Sequence, residues 1–334
     1  MNKLKKYKKI INKIIILLLI LPLCTFLALQ FLNHLYWIDI ATSFLPEITI
    51  IYILYIFVFV LIYFWKFKIK IIKLLLILNL LIFLTFPFKI IQFYLPFHNN
   101  NENLNQKNVT KILSINLWWE NKNYNDVKNF LTNQDADILI LIEFTDIQYE
   151  RLKDYLDLNY PYSNINNYLD GGAFAGNIIF SKHKILTSEE NIINGYYSGF
   201  SDILVNINNK NFKLYLIHTT APINKDYFHK RNEQLKIIAN EIRNEETENI
   251  IIMGDFNLSP WSYYYQKFCK EIGVQFNNIS RISGFGYTWN HREKEYLRTH
   301  IDHFFVSKNI ETSNFEIMDF PGSDHRALIA EIVI

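Results

Sequence analysis

Asp255 and Asn257 stand two residues apart in Gly254-Asp255-Phe256-Asn257, directly after the apolar run Ile250–Met253. In extended chain, side chains two apart share a face. An acid and an amide would therefore point the same way from a strand end, where Gly254 lets the chain turn. Further segments follow the same plan: Ser114-Ile115-Asn116, Leu141-Ile142-Glu143, Ile217-His218-Thr219 and Ser323-Asp324-His325, with Ile301-Asp302-His303 before the last. Carboxylates, amides and histidines gathered at strand ends are what metal-assisted attack of water on a phosphate ester needs.

Each residue also has a plainer reading. Asp255 and Asn257 could satisfy backbone groups of a turn. Glu143 closes the apolar run Ile138–Ile142; a carboxylate there is costly unless it sits at the strand exit or binds a cation, and an exposed loop Glu is the alternative. Oxygen donors without a Cys/His cluster suit a hard ion, Mg²⁺ or Mn²⁺, rather than zinc. Asn116 alone is weak, because Asn is common in loops. Asp302 and His325 could form a pair in which the acid fixes the imidazole tautomer, or His325 could belong to a surface turn. His218, ending Phe212–Ile217, could be a core histidine. Protonated, it would stabilise charge on phosphorus or protonate the leaving oxygen. Arg231 would reach a substrate phosphate or lie on a solvated helix face. His183, His229, His291, His300 and His303 fit no pattern. Gly171-Gly172 and Gly284-Phe285-Gly286 read as loop turns without the helix start of a phosphate-cradling loop.

In their order, these segments resemble the endonuclease/exonuclease/phosphatase family across about residues 110–334. The resemblance implies an α/β fold, a four-layer α/β/β/α sandwich of two mixed sheets. It puts Asn116 and Glu143 beside the metal with Asp324 as a further carboxylate, pairs Asp302 with His325, and favours a catalytic His218. Asn177, in Gly176–Ser181, matches a family segment and reads as structural. One departure is Ile142, where the family often has Gln before its metal-binding Glu. The implied activity is phosphoester hydrolysis by in-line attack of water. Glu143, Asn116 and Asp324 would hold Mg²⁺ or Mn²⁺, Asp255 and Asn257 would orient and deprotonate the water, and His218, Asp302 and His325 would clamp the phosphate. Asn116 and Arg231 are the candidate substrate contacts. The competing class is a non-catalytic membrane receptor or scaffold using the fold as a binding module, which the intact acids and histidines argue against.

The elements that must position these residues alternate. Strands are expected at Lys111–Leu117, Asp137–Ile142, Asn177–Ser181, Ile203–Ile207, Phe212–His218, Ile250–Met253, Tyr287–Trp289, His303–Val306, Phe315–Met318 and Ala327–Val333. Helices are expected at Tyr124–Asn133, Asp146–Leu156, Asp226–Glu246 and Ser262–Cys269.

Composition divides near residue 97. Residues 1–97 hold 11 Lys and Arg against 2 acids, and the remainder 23 against 30, within an overall balance of +2. Three apolar stretches, about 14–32, 48–65 and 71–88, approach the ~20 residues of a transmembrane helix; Lys73 and Asn79 make the third the weakest. The expected organisation is a three-helix membrane anchor over 1–97, an Asn-rich linker over 98–109 and a catalytic domain over 110–334. The Lys-rich N-terminus and the Lys-rich link after the second stretch put the N-terminus in the cytoplasm and, after three crossings, the domain outside; the anchor joined to this domain resembles bacterial membrane proteins of the same family, which implies a bacterial cytoplasmic membrane. The first stretch is too long for a usual signal-peptide core and lacks a small-residue cleavage site, so it reads as an uncleaved anchor. Two Cys, Cys24 and Cys269, offer no disulfide framework. The expected partners are the bilayer and a phosphate-ester substrate: a lipid headgroup, a small phosphodiester or nucleic acid. No protein partner is implied. An acidic domain disfavours non-specific duplex binding, which relies on basic surface.

Overall fold

The computed structural model describes residues 2–66, 70–94, 108–165, 175–193, 199–281, 286–291 and 294–334. Most of the expected linker, together with Gly171, Gly172 and Gly284, lies outside the described residues. The chain divides into two units, Met1–Tyr94 with Trp261–Tyr263, and Leu95–Pro260 with Tyr264–Ile334.

The second unit is built on two six-stranded mixed sheets. The first has the order β13 (Glu311–Asp319), β14 (Arg326–Val333), β1 (Val109–Asn116), β2 (Ile138–Thr145), β4 (Ala175–Ser181), β3 (Tyr162–Ser163). The second has the order β5 (Lys184–Ile192), β6 (Gly199–Ile207), β7 (Lys210–His218), β8 (Ile250–Asp255), β12 (Asp302–Ser307), β9 (Phe276–Asn278). A short ribbon of β10 (Trp289–His291) and β11 (Lys294–Thr299) completes the described strands. Each large sheet is antiparallel except for one parallel pair, β1 with β2 and β7 with β8.

Alternation along the strands explains the layers. Ile138, Ile140 and Ile142 of β2 point into the core between the sheets, where they meet Leu214, Leu216, Ile251 and Met253. Leu139 and Leu141 point the other way, into a core that also holds Val127, Leu131, Leu152 and Leu156 from helices Tyr124–Gln134 and Asp146–Asn159. On the far side, Ile250 and Ile252 pack with Leu235, Ile238 and Phe268 of helices Lys225–Asn244 and Tyr263–Ile272. Strands buried on both faces read as unbroken apolar runs. The α/β/β/α sandwich is therefore present, with most element bounds within a few residues of expectation.

The first unit contains helices Asn2–Phe31, Tyr36–Thr42, Leu45–Lys66 and Lys70–Tyr94. Here the structure corrects the expected count of three spans. Among the described residues one helix, Lys9–Phe31, is long and apolar enough to cross a bilayer, and Tyr36–Thr42 with Leu45–Leu61 qualifies only as a pair bent by 79°. The side chains of residues 82–88, in the third expected stretch, lie outside the described residues. Asn79, which weakened the third stretch in sequence, is fully buried. It accepts a bond from the Tyr52 hydroxyl at 2.5 Å, and its amide donates to the carbonyls of Leu19 at 3.1 Å and Leu75 at 2.7 Å.

Candidate active site

The two parallel pairs end side by side at the same rim. Asn116 closes β1 opposite Ile142 of β2, and His218 closes β7 opposite Asp255, which closes β8. Asp302 opens the antiparallel β12, also opposite Asp255. His325 immediately precedes β14, which pairs with β1. Carboxyl ends of parallel strands are where α/β sheets gather ligand-binding groups.

Glu143 does not end its strand as expected; β2 runs on to Thr145. Between Leu141 and Phe144 the register with β4 slips, and Glu143 has a left-handed φ of 56°. This is a β-bulge, which turns a side chain out of the ordinary alternation. Ile142 stays in the inter-sheet core. Polar support comes instead from the Asn116 amide, which donates to Glu143 Oε1 at 3.0 Å, and from the Trp119 N–H, which donates to Oε2 at 3.3 Å. The loop supplying that N–H is tied down by Gln148, whose amide donates to the Trp118 carbonyl at 2.9 Å. Gln148 in turn closes a capping box with Thr145 at the end of β2.

The Asn116 amide also donates to Asp255 Oδ2 at 3.1 Å, so one side chain joins the carboxylates of both sheets. Its carbonyl oxygen accepts the Trp118 N–H at 3.1 Å, which sets the amide orientation. Asn116 thus holds both acids through its amide nitrogen. Asp255 is further held by Asn257, whose N–H reaches Oδ1 at 2.8 Å and whose amide reaches Oδ2 at 3.2 Å. Trp118, Glu143 and Asn257 all have positive φ, a strained geometry that clusters at functional sites. Gly254, with φ 132°, is required, since a Cβ there would lie 2.1 Å from the Ile217 carbonyl oxygen.

On the other flank, His325 Nδ1 lies 2.9 Å from Asp302 Oδ2, and Nε2 lies 3.6 Å from Asp255 Oδ2. Across the rim, His218 Nε2 lies 3.5 Å from Glu143 Oε1. His218, Glu143, Asn116, Asp255, His325 and Asp302 therefore form one continuous polar chain across both sheets.

Burial sets the charges. It lifts the Asp255 carboxyl to about 7, with Asp302 and Glu143 reinforcing it and His325 opposing. Burial disfavours the His325 imidazolium, but Asp302 and Asp255 outweigh it and hold the group at about 10. For His218 burial wins over the attraction of Glu143 and pushes the pKa down. Burial thus disfavours the protonated form of His218.

Two other expectations change. Arg231 is only 2% exposed. Its guanidinium donates to the Asn257 carbonyl at 3.1 Å and to Asn232, so it braces the Asp255–Asn257 turn from behind. The Asp324 carboxylate accepts the Trp289 indole N–H at 3.1 Å. It is not among the close-set donors Asp255, Asp302 and His325, which offer atoms within 4.8 Å of one another. Sequence reasoning passed over Ser323, whose hydroxyl donates to the Asn116 carbonyl at 2.7 Å while accepting the His325 N–H at 3.0 Å. It also passed over Thr219, whose carbonyl accepts the Asn257 amide at 2.9 Å. Both lie within the very segments quoted for their neighbours. His303 is a core residue, with Nε2 2.8 Å from the Leu258 carbonyl.

A sequence model of the Endonuclease/Exonuclease/phosphatase family matches residues 113–325. No curated protein matches in sequence. Among solved structures, D. rerio TDP2 in complex with a single-strand DNA product superposes with TM-score 0.56 at 19% identity, covering 68% of this chain and 99% of that one. SmcL gives 0.51 at 20% identity, covering 68% and 99%. A mutant of beta toxin from Staphylococcus aureus with bound magnesium ions gives 0.51 at 16%, covering 67% and 99%. At these identities the likeness is one of fold.

Proposed function

The chain belongs to the endonuclease/exonuclease/phosphatase family, and on that ground we propose that its second unit hydrolyses phosphoric esters by in-line attack of water with the aid of Mg²⁺ or Mn²⁺. The observation that carries the reading is the Asn116 amide shared between Glu143 and Asp255, at 3.0 and 3.1 Å. It brings the acids of two sheets to one point on the rim.

The donor set fits a hard cation. Glu143 presents a carboxylate that is 21% exposed at the rim, and Asp255 is a buried acid whose ionised form gains from a positive neighbour. Glu143 would hold the ion, with Asp255 next to it. When bound, the ion would neutralise phosphate oxygens and charge on the leaving group. Beta toxin was solved with magnesium ions, which supports the choice of ion.

The chain's own groups then divide the work. Asp255, its pKa raised by burial and its carboxylate oriented by Asn257, takes the proton of the attacking water. His325, kept charged by Asp302, donates to a phosphate oxygen from Nε2. His218, with Nε2 3.5 Å from Glu143 Oε1, offers a hydrogen bond beside it. The acidic balance of the domain favours a lipid headgroup or small phosphodiester over duplex DNA, and the apolar N-terminal helix keeps the enzyme at a bilayer.

The test is incubation of the purified chain with phospholipid and sphingolipid vesicles, small phosphodiesters and single-stranded DNA, with Mg²⁺ or with EDTA. Metal-dependent release from one class is expected. Release from none would favour the binding-module reading.

A further inference from the structure

Asp302 and His325 belong to different sheets. Asp302 opens β12 in the second sheet and His325 leads into β14 in the first, so neither sheet's own ladder sets the 2.9 Å between them. Something must hold the two rims in register.

We propose that Thr288 is the positioning residue for this pair, because it is bonded to both halves at once. Its hydroxyl oxygen accepts the N–H of Ile301 and the N–H of Asp302, each at 3.0 Å. Its own N–H donates to the Thr299 carbonyl at 3.0 Å, and its carbonyl accepts the Arg326 N–H at 2.7 Å. The next residues continue the splice: Trp289 bridges His325, and the Asn290 N–H donates to the Asp324 carbonyl at 3.0 Å. The indole of Trp289 adds its bond to the Asp324 side chain. Thr288 is fully buried, so no solvent replaces its hydroxyl. Two adjacent N–H groups at the start of β12 converge on that single oxygen, which fixes the peptide from which the Asp302 side chain springs. The carbonyl of that peptide accepts the Phe256 N–H at 3.0 Å, so loss of the oxygen releases its N–H side and lets the carboxylate drift from His325. Outer-shell groups of this kind act through the residues they hold.

The inference rests on the hydrolytic reading for its kinetic arm alone. The experiment compares full-length wild type, T288V and T288S in detergent. Valine keeps the shape and removes the acceptor; serine keeps the acceptor. One arm measures kcat and KM on the ester that wild type hydrolyses. The other uses ¹⁵N-histidine NMR to follow the hydrogen-bonded Nδ1 proton of His325, assigned by its absence in H325Q. T288V is expected to lose ~10-fold or more in kcat with KM within about 2-fold, and to lose or shift the Nδ1 signal. T288S should stay within about 3-fold and keep it. T288A replaces T288V if the latter does not fold. Equal behaviour of Val and Ser, an unchanged signal in T288V, or failure of both Val and Ala variants to fold would overturn the proposal. A wild type that hydrolyses nothing would sink the functional reading and leave the NMR arm to decide.

Discussion

At the residue scale, identities were legible and roles only partly so. Asp255, His325 and Glu143 were marked by type and place, but the direction of the Asn116 amide depends on the Trp118 N–H, which no spacing encodes. The lowered pKa of His218 depends on burial, and Thr288 looks like any strand threonine. Asp255→Asn keeps the volume and removes the proton acceptor. Turnover should fall ~10²-fold or more with an unchanged circular dichroism spectrum, and near-normal turnover would remove Asp255 from the mechanism. His325 makes a separate prediction about stability. Its folded pKa of about 10 exceeds the ordinary value near ~6.5, so the folded state holds the proton more tightly. That contribution is complete below ~6.5 and fades as pH rises toward the folded value. In EDTA, wild type should lose melting temperature between pH 7 and 9, while H325Q should show a flatter curve over that interval. Parallel curves would mean the imidazolium is not held as described.

At the element scale, the interior strands announced themselves because burial on both faces leaves unbroken apolar runs, as in Ile138–Ile142 and Ile250–Met253. β5 escaped notice because it is a sheet edge, and its Thr187-Ser188-Glu189-Glu190-Asn191 stretch faces water. β11 belongs to the small two-stranded ribbon and carries a polar sequence without an apolar run. The bulge at Ile142 and Glu143 was invisible, since nothing in the local run marks it and only the pairing with β4 reveals the slip. Gly254 was readable as a turn. Its deeper constraint is the approach of β7, where any Cβ would meet the Ile217 carbonyl oxygen. Gly254→Ala must therefore push β7 from β8 or twist a backbone that side chains rarely adopt. The variant should lose at least ~1 kcal/mol of stability, read by thermal unfolding, together with most of its turnover as His218 and Asp255 move apart. A variant that melts and works like wild type would show that the two strand ends tolerate displacement.

At the scale of the whole molecule, the charge division and the inverted packing of the first unit belong to one argument. In that unit Leu17, Ile51, Leu54, Phe57 and Leu74 are exposed while Asn79 is buried and bonded to Tyr52 and Leu19. A soluble bundle does the reverse, and buried polar groups between helices with an apolar exterior are the pattern of packing in lipid. The second unit has three hydrophobic cores of its own, so the chemistry should not need the helices. The helices should instead set what the enzyme meets. On the proposed reading, a membrane tether would confine the domain to a thin layer where an ester in the same bilayer is present at an effective concentration of order millimolar. Residues 108–334 alone should therefore hydrolyse a small soluble diester with kcat within about 2-fold of the full chain, while a lipid ester co-reconstituted in vesicles should be cleaved ~10²-fold faster by the full chain at nanomolar enzyme. Equal rates on the vesicle ester would mean that the bilayer does not deliver the substrate, and would move the reading toward a soluble phosphodiester. Loss of activity toward the soluble diester would mean that the first unit contributes to the site itself.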